Sequence, residues 1–231
     1  MPHPQIPDTL AQRLNGKLES QEAFKWTKEP WIRAVEDAPE VVATLEALPE
    51  TLDREVVRKI VQEKLAKDQV LGAFIPVLIW GGPGGYGPFR ARSILTGIRK
   101  RENINAAIDP TVSQKLREGA IAAQKDDALE AFRLMNNEKK VKYLGGAFFT
   151  KWLYFASMKD ALDGSEAAPI LDARVSSWIA RNTEDQGAIR LKPRSTRSYE
   201  SYLELLDAWG APYNRTRAQV ELAIFELSVS R

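Results

Sequence analysis

Leu144-Gly145-Gly146-Ala147-Phe148-Phe149-Thr150-Lys151-Trp152-Leu153-Tyr154-Phe155 is a glycine turn that feeds an aromatic-rich helical run, and its reading decides the fold. A helix start leaves backbone N–H groups without intrahelical acceptors, and the helix dipole adds positive potential there. Gly145 and Gly146 are therefore candidate contacts for a nucleic-acid backbone, with Lys139, Lys140 and Lys142 just upstream. An ordinary helix–helix turn, whose glycines only permit tight packing, has the same pattern. Lys151 falls in the first turns of the helix, among Phe148, Phe149 and Trp152. Apolar neighbours and a positive helix end disfavour an ammonium, so a lowered pKa and a nucleophilic amine are expected. The alternative is a surface lysine whose stem covers aromatic rings.

Pro169-Ile170-Leu171-Asp172-Ala173-Arg174-Val175 leads to the next helix start, which places Asp172 as an N-cap kept ionised by backbone N–H groups. An amine and a carboxylate then stand at two helix starts, joined by the polar connection 163–169, which can return the chain to one cleft.

Helical periodicity extends outward from this pair. Residues 53–68 put Val56, Val57, Ile60, Val61 and Leu65 on one stripe behind a cap at Asp53. Residues 69–80 are apolar on nearly all sides, predicting a buried helix kinked at Pro76. A glycine-rich loop, Gly81 to Pro88, precedes a helix expected over 89–101. Two helices are expected in 110–135, one capped by Asp109 with Pro110 at its opening position, the other capped by Asp126. Residues 183–198 are polar and irregular, and two last helices, near 198–209 and 214–229, flank Gly210-Ala211-Pro212. Residues 20–45, with Trp26 and Trp31, are less regular. Strand signals are few, so the chain reads as mainly α.

The Gly81–Pro88 loop lacks the Gly-Lys-Ser/Thr ending of a phosphate-binding loop, and no parallel-sheet pattern precedes it, which argues against an NTPase. A base pocket or DNA-interrogation loop fits better. Its glycines, Gly85 among them, let backbone approach a base; Trp80, Tyr86 and Phe89 offer stacking faces, and Arg90 and Arg92 offer phosphate contacts.

Composition narrows the chemistry further. The 231 residues include no cysteine and one histidine, His3, in a terminus expected to fray. Thiolate catalysis, Cys-ligated metals, iron–sulfur clusters and histidine-based triads are thereby excluded or disfavoured, and no metal or cofactor is expected. Thirty-three basic and 31 acidic side chains nearly balance, but residues 86–142 carry 12 basic against 7 acidic. A basic middle third can meet phosphates. No run is long enough for a membrane span and no signal-peptide core is present, so a cytoplasmic protein is expected.

The runs LGGAFFTKWLYF and APILDARVSSWI resemble the helix-hairpin-helix DNA glycosylase superfamily, in particular its 8-oxoguanine-glycosylase-like branch, over roughly residues 139–182. The resemblance implies a two-lobed helical fold of one compact domain, residues 1–231, with a DNA-facing cleft. It makes Lys151, after Thr150, the Schiff-base lysine and Asp172 the catalytic carboxylate, and it sets Arg174 near the substrate phosphate. A fainter match at the C-terminus implies that Glu221 reads an extruded base and that Phe225, on the same helix face, stacks on it. Phe149 stands where the usual hairpin has a second glycine, and no histidine is available beside Asp172. The implied activity is excision of a modified base from double-stranded DNA, an oxidised purine such as 8-oxoguanine or a modified cytosine as in phage DNA. Abasic-site cleavage through Lys151 would accompany it. Genome repair and antiviral defence both fit, and a monomer is expected. The alternative from another class is a non-enzymatic helical DNA-binding or interaction module.

Overall fold

The computed structural model describes residues 3–18, 21–82, 87–99, 101–125, 127–161, 164–165 and 167–229. Among them the first helices in chain order are α1 (Asp8–Asn15), α2 (Lys28–Ala34), α3 (Pro39–Ala47), α4 (Arg54–Ala66), α5 (Val70–Gly81) and α6 (Pro88–Thr96). The later ones are α7 (Pro110–Lys125), α8 (Ala128–Asn136), α9 (Gly146–Ser157), α10 (Ala173–Asn182), α11 (Thr196–Gly210) and α12 (Arg217–Val229). The sheet among these residues is one antiparallel pair, β1 (Phe24–Lys25) and β2 (Thr51–Leu52), with Phe24 opposite Leu52. The chain is mainly α, as its periodicity predicts.

The α5 helix is central because its sequence has no polar face. Val70 through Trp80 are all buried, and the helix packs on α3, α4, α7 and α9. Pro76 lies inside it without ending it. Gly72 lets α3 approach, since a Cβ there would stand 2.9 Å from Thr44 Oγ1. Val57 and Val61 of α4 face this core, and Asp53 caps α4 by accepting from Val56 N at 2.8 Å. The same helix also buries Arg54 and Arg58, charges that an apolar stripe does not announce.

Several boundaries differ from the sequence expectations for identifiable reasons. The helix expected over 89–101 ends at Thr96 because Gly97 takes the left-handed conformation, φ 68°, and the chain turns into a short 3-10 segment at Arg101–Ile104. Asp127 caps α8, accepting from Glu130 N at 2.7 Å; Asp126 lies outside the described residues. The N-terminal segment is held rather than frayed from Pro4 onward. Trp209 Nε1 donates to the Pro4 carbonyl at 3.0 Å, α1 packs on α12, and Arg13 pairs with Glu226 at 2.6 Å. Buried apolar side chains from Leu10 to Ile224 form one connected cluster. No helix among the described residues is long and apolar enough to cross a membrane.

The Asp53 cap is expected to contribute measurably to stability. Asp53→Ala should lower the unfolding free energy by about 1 kcal/mol in urea denaturation, with the slope unchanged.

Candidate functional site

The sequence around Lys151 and Asp172 folds so that two helix starts converge. Gly145 is the N-cap of α9, and Thr150 Oγ1 donates to the Gly146 carbonyl at 2.9 Å while accepting from Leu171 N at 3.3 Å. The backbone just before Asp172 is thus tied to the turn just before Lys151. Tyr199 and Tyr202 of α11 fix the same approach, their hydroxyls donating to the Pro169 carbonyl at 2.8 Å and the Ile170 carbonyl at 2.9 Å. Burial pushes both phenols up in pKa, which keeps them protonated as donors.

Lys151 Nζ then lies 2.9 Å from Asp172 Oδ2, and both side chains are largely buried. The other carboxylate oxygen, Oδ1, accepts from Arg174 N at 3.0 Å and Val175 N at 3.1 Å. Burial alone would raise the Asp172 pKa, but the Lys151 charge and hydrogen bond, with the two backbone donors, outweigh it and hold the group below its ordinary 3.8. The ammonium is also 5.5 Å from the centre of the Phe148 ring. The first residue of the glycine loop closes against it: a Cβ on Gly81 would come 2.7 Å from Lys151 Cδ.

The two glycines of the α9 turn do different work. Neither is in the left-handed region; the left-handed residue of this turn is Tyr143, φ 65°. Gly146 is needed for packing, since a Cβ there would stand 2.0 Å from the Pro193 carbonyl oxygen. Gly145 faces open space, with nothing within 4 Å of a Cβ. Of the lysines upstream, Lys139 is paired with Glu118, and exposed Lys142 lies 5.1 Å from the Tyr143 ring.

Behind the lysine lies a charged cluster that only part of the sequence reading anticipates. Arg54 Nη1 is 3.1 Å from Glu221 Oε2 and 3.3 Å from the Tyr154 hydroxyl, and Nη2 is 3.5 Å from Oε1. Burial opposes both charges. For Arg54, Glu221 and Tyr154 outweigh burial and keep the guanidinium protonated; for Glu221, burial prevails over Arg54 and the pKa is pushed up. Glu221 is thus not presented to an open pocket, as the resemblance implies. A lone acid on an otherwise apolar part of α12 has sunk into the core with a counter-charge. Trp80 is corrected likewise: it is buried edge-on against Phe155, centroids 5.0 Å apart, rather than offering a free stacking face.

Phe225 is partly buried, with the Arg54 guanidinium 5.8 Å and the Arg174 guanidinium 5.7 Å from its centroid. Arg174 and Phe225 line a groove of about 780 Å³ with Arg13, Gln21, Phe24 and Glu226. Arg90 is exposed at the start of α6. Arg92 is not available to phosphate. It is buried, and its guanidinium is spent on Asp37 and the carbonyls of Ala34, Asn103 and Ala106, which pins α6 to α2. Gly85 and Tyr86 lie outside the described residues.

A family model described as "Putative 8-oxoguanine DNA glycosylase OGG-like protein" matches residues 18–225. The chain belongs to that family. No curated protein and no solved structure gave a significant match. Membership of this OGG-like family implies a DNA substrate and a DNA glycosylase-like function. The match includes both helix starts of the Lys151–Asp172 pair and the buried cluster behind them.

Two outcomes test this geometry. Gly146→Ala forces backbone apart and should cost about 2 kcal/mol or more, whereas Gly145→Ala should leave thermal stability nearly unchanged. The Asp172 carboxylate, with its lowered pKa, adds stability that is present above its ordinary value and lost as pH falls through its folded value. The stability gap between wild type and Asp172→Asn should therefore shrink as urea unfolding is followed from about pH 6 to about pH 3.

Proposed function

We propose that the protein is a DNA N-glycosylase that excises a modified base and cleaves the resulting abasic site through Lys151. The observation that carries this reading is the 2.9 Å approach of the Lys151 amine to the Asp172 carboxylate at two converging helix starts. The modified base is extruded from the duplex, at a cost of about a few kcal/mol, toward the groove beside Phe225. Gly145, Lys142, Arg90 and Arg174 hold the phosphates of the strand, while Gly146, packed against the Pro193 carbonyl, lets the turn close. One compact helical domain, acting as a monomer, suffices for these contacts.

As the glycosidic bond breaks, its electron pair leaves with the base, which takes up a proton, and positive charge grows on the sugar. Ionised Asp172, oriented by the Arg174 and Val175 amides, stabilises that charge. The Lys151 amine, having released a proton to water, attacks the anomeric carbon. Opening of the sugar ring, with a proton passing to the ring oxygen, gives an imine. Loss of a proton from the adjacent sugar carbon then expels the 3′ phosphate and cuts the strand. The location of both groups at one point beside Gly81 favours this over the non-enzymatic DNA-binding module, which has no need of a paired amine and carboxylate.

Borohydride reduces an imine to a stable amine, so wild-type protein should form a covalent adduct with a duplex containing 8-oxoguanine or a modified cytosine. Lys151→Gln should abolish trapping, and Asp172→Asn should slow base release by about a hundredfold or more. Full base excision by either variant would sink the assignment of roles.

A further inference from the structure

Many surface cations of this protein are spent on carboxylates: Arg133 pairs with Glu130 and Glu138, Lys139 with Glu118 and Arg217 with Asp207. A second group is not. Arg181 near the end of α10, Arg190, Lys192 and Arg194 between α10 and α11, and Arg197 in the first turn of α11 are exposed, with no ion-pair partner among the described residues. Residues 186–199 hold the last four of these cations and no acid.

The backbone beneath them is anchored. Ile189 N donates to Thr183 Oγ1 at 2.9 Å, Leu191 is buried, and Asn136 Nδ2 donates to the Arg194 carbonyl at 3.1 Å. Ser195 Oγ caps α11, accepting from Ser198 N at 3.2 Å. The Pro193 carbonyl packs against Gly146, which sets Lys192 and Arg194 beside the α9 turn, where exposed Lys140 and Lys142 also stand. Like charges gathered without counter-charges repel one another, and a fold that fixes them together is arranged to meet an anion.

The α10 helix links this surface to the reacting pair. Its apolar face, Val175, Trp178 and Ile179, is buried; its outer face carries Arg174, Ser177 and Arg181 at spacings of three and four, and the helix contains no acid. Ser176, Ser177, Arg181 and Arg190 line a cleft of about 370 Å³ in which Glu184 is the one acid, so its lining is net positive. At 1.5 Å of rise per residue Arg181 stands about 13 Å along α10 from Asp172, the length of about four nucleotides of one strand.

We propose that the outer face of α10 and the stretch 190–197 form a second phosphate-binding track, separate from the α9 turn, which holds the backbone of one arm of a DNA duplex about four nucleotides from the reacting pair. The track rests on the glycosylase reading only for the placement of the lesion at Lys151 and Asp172. DNA fits better than an acidic protein, because the track is continuous with that pair and because arginine forks beside serine hydroxyls match phosphate oxygens. One-sidedness follows from the geometry: α10 leaves the pair in a single direction, so one arm alone reaches Arg181 and Arg190.

The test uses the double variant Arg181→Ala/Arg190→Ala, two exposed changes that should leave thermal unfolding unaltered. Its probe is a duplex with a central tetrahydrofuran abasic analogue, bound at rising salt. The variant should bind about tenfold or more weakly at about 0.15 M salt, and the slope of log K against log salt should fall by about 2. Cutting one arm of the duplex to about three base pairs should erase the difference from wild type, and cutting the other should preserve it. Unchanged affinity and slope, the result expected of a surface for an acidic protein, overturns the track, and so does a difference that the two arms affect equally. Wild-type protein that excises neither 8-oxoguanine nor a modified cytosine and traps nothing on abasic DNA overturns the glycosylase reading instead. The arm dependence needs no chemistry and still decides the track.

Discussion

The contact between Lys151 and Asp172 is the constraint on which the arrangement of the C-terminal half depends. Its strength comes from a division of labour within one carboxylate. Oδ1 is spent on the first amides of α10, which fixes the orientation of the group, and Oδ2 is left facing the ammonium. Breaking one side of a buried pair costs about 3–5 kcal/mol, a large share of the 5–15 kcal/mol that holds a domain together. Such a contact needs a rigid frame. Thr150, bonded to both the Gly146 carbonyl and the Leu171 amide, supplies part of it, and the tyrosines of α11 supply the rest.

Much of this was legible in the sequence because caps and periodicity are local. Asp53, Asp109 and Asp172 cap the helices that their positions predict, and the unbroken apolar run before Trp80 became the most buried helix. Lys151 and Asp172 were readable because each stands at a helix start. Residues whose role depends on a distant partner were not. Arg54 follows a cap on an amphipathic helix and looks like any exposed N-terminal arginine; its partner lies 167 positions away. Arg92 looked available for phosphate, yet its partners come from the end of α2, from Asp37 in the turn after it, and from the segment after Gly97. One signal was present: Glu221, alone among apolar neighbours in α12, needed a buried cation somewhere in the chain.

The glycines carry a related lesson. Gly145 and Gly146 read as a pair, and a turn of either kind explains a pair. The structure separates them by what surrounds each position: a carbonyl of the 193 segment crowds Gly146, and open space faces Gly145. Only the second has backbone exposed in a way that suits a phosphate. The conformational freedom expected of a glycine is used by neither, since Tyr143 makes the left-handed step.

Two carboxylates near one lysine have been driven in opposite directions, and that separation has chemical meaning. Asp172 keeps contact with amides and an ammonium, so its pKa falls; Glu221 is sealed among rings with one cation, and its pKa rises. Groups pushed apart in this way can hold different protonation states at one pH. The lowered one suits a site where positive charge develops and must meet a permanent anion. The raised one is buried opposite Arg54, the cation that counters the effect of burial on it.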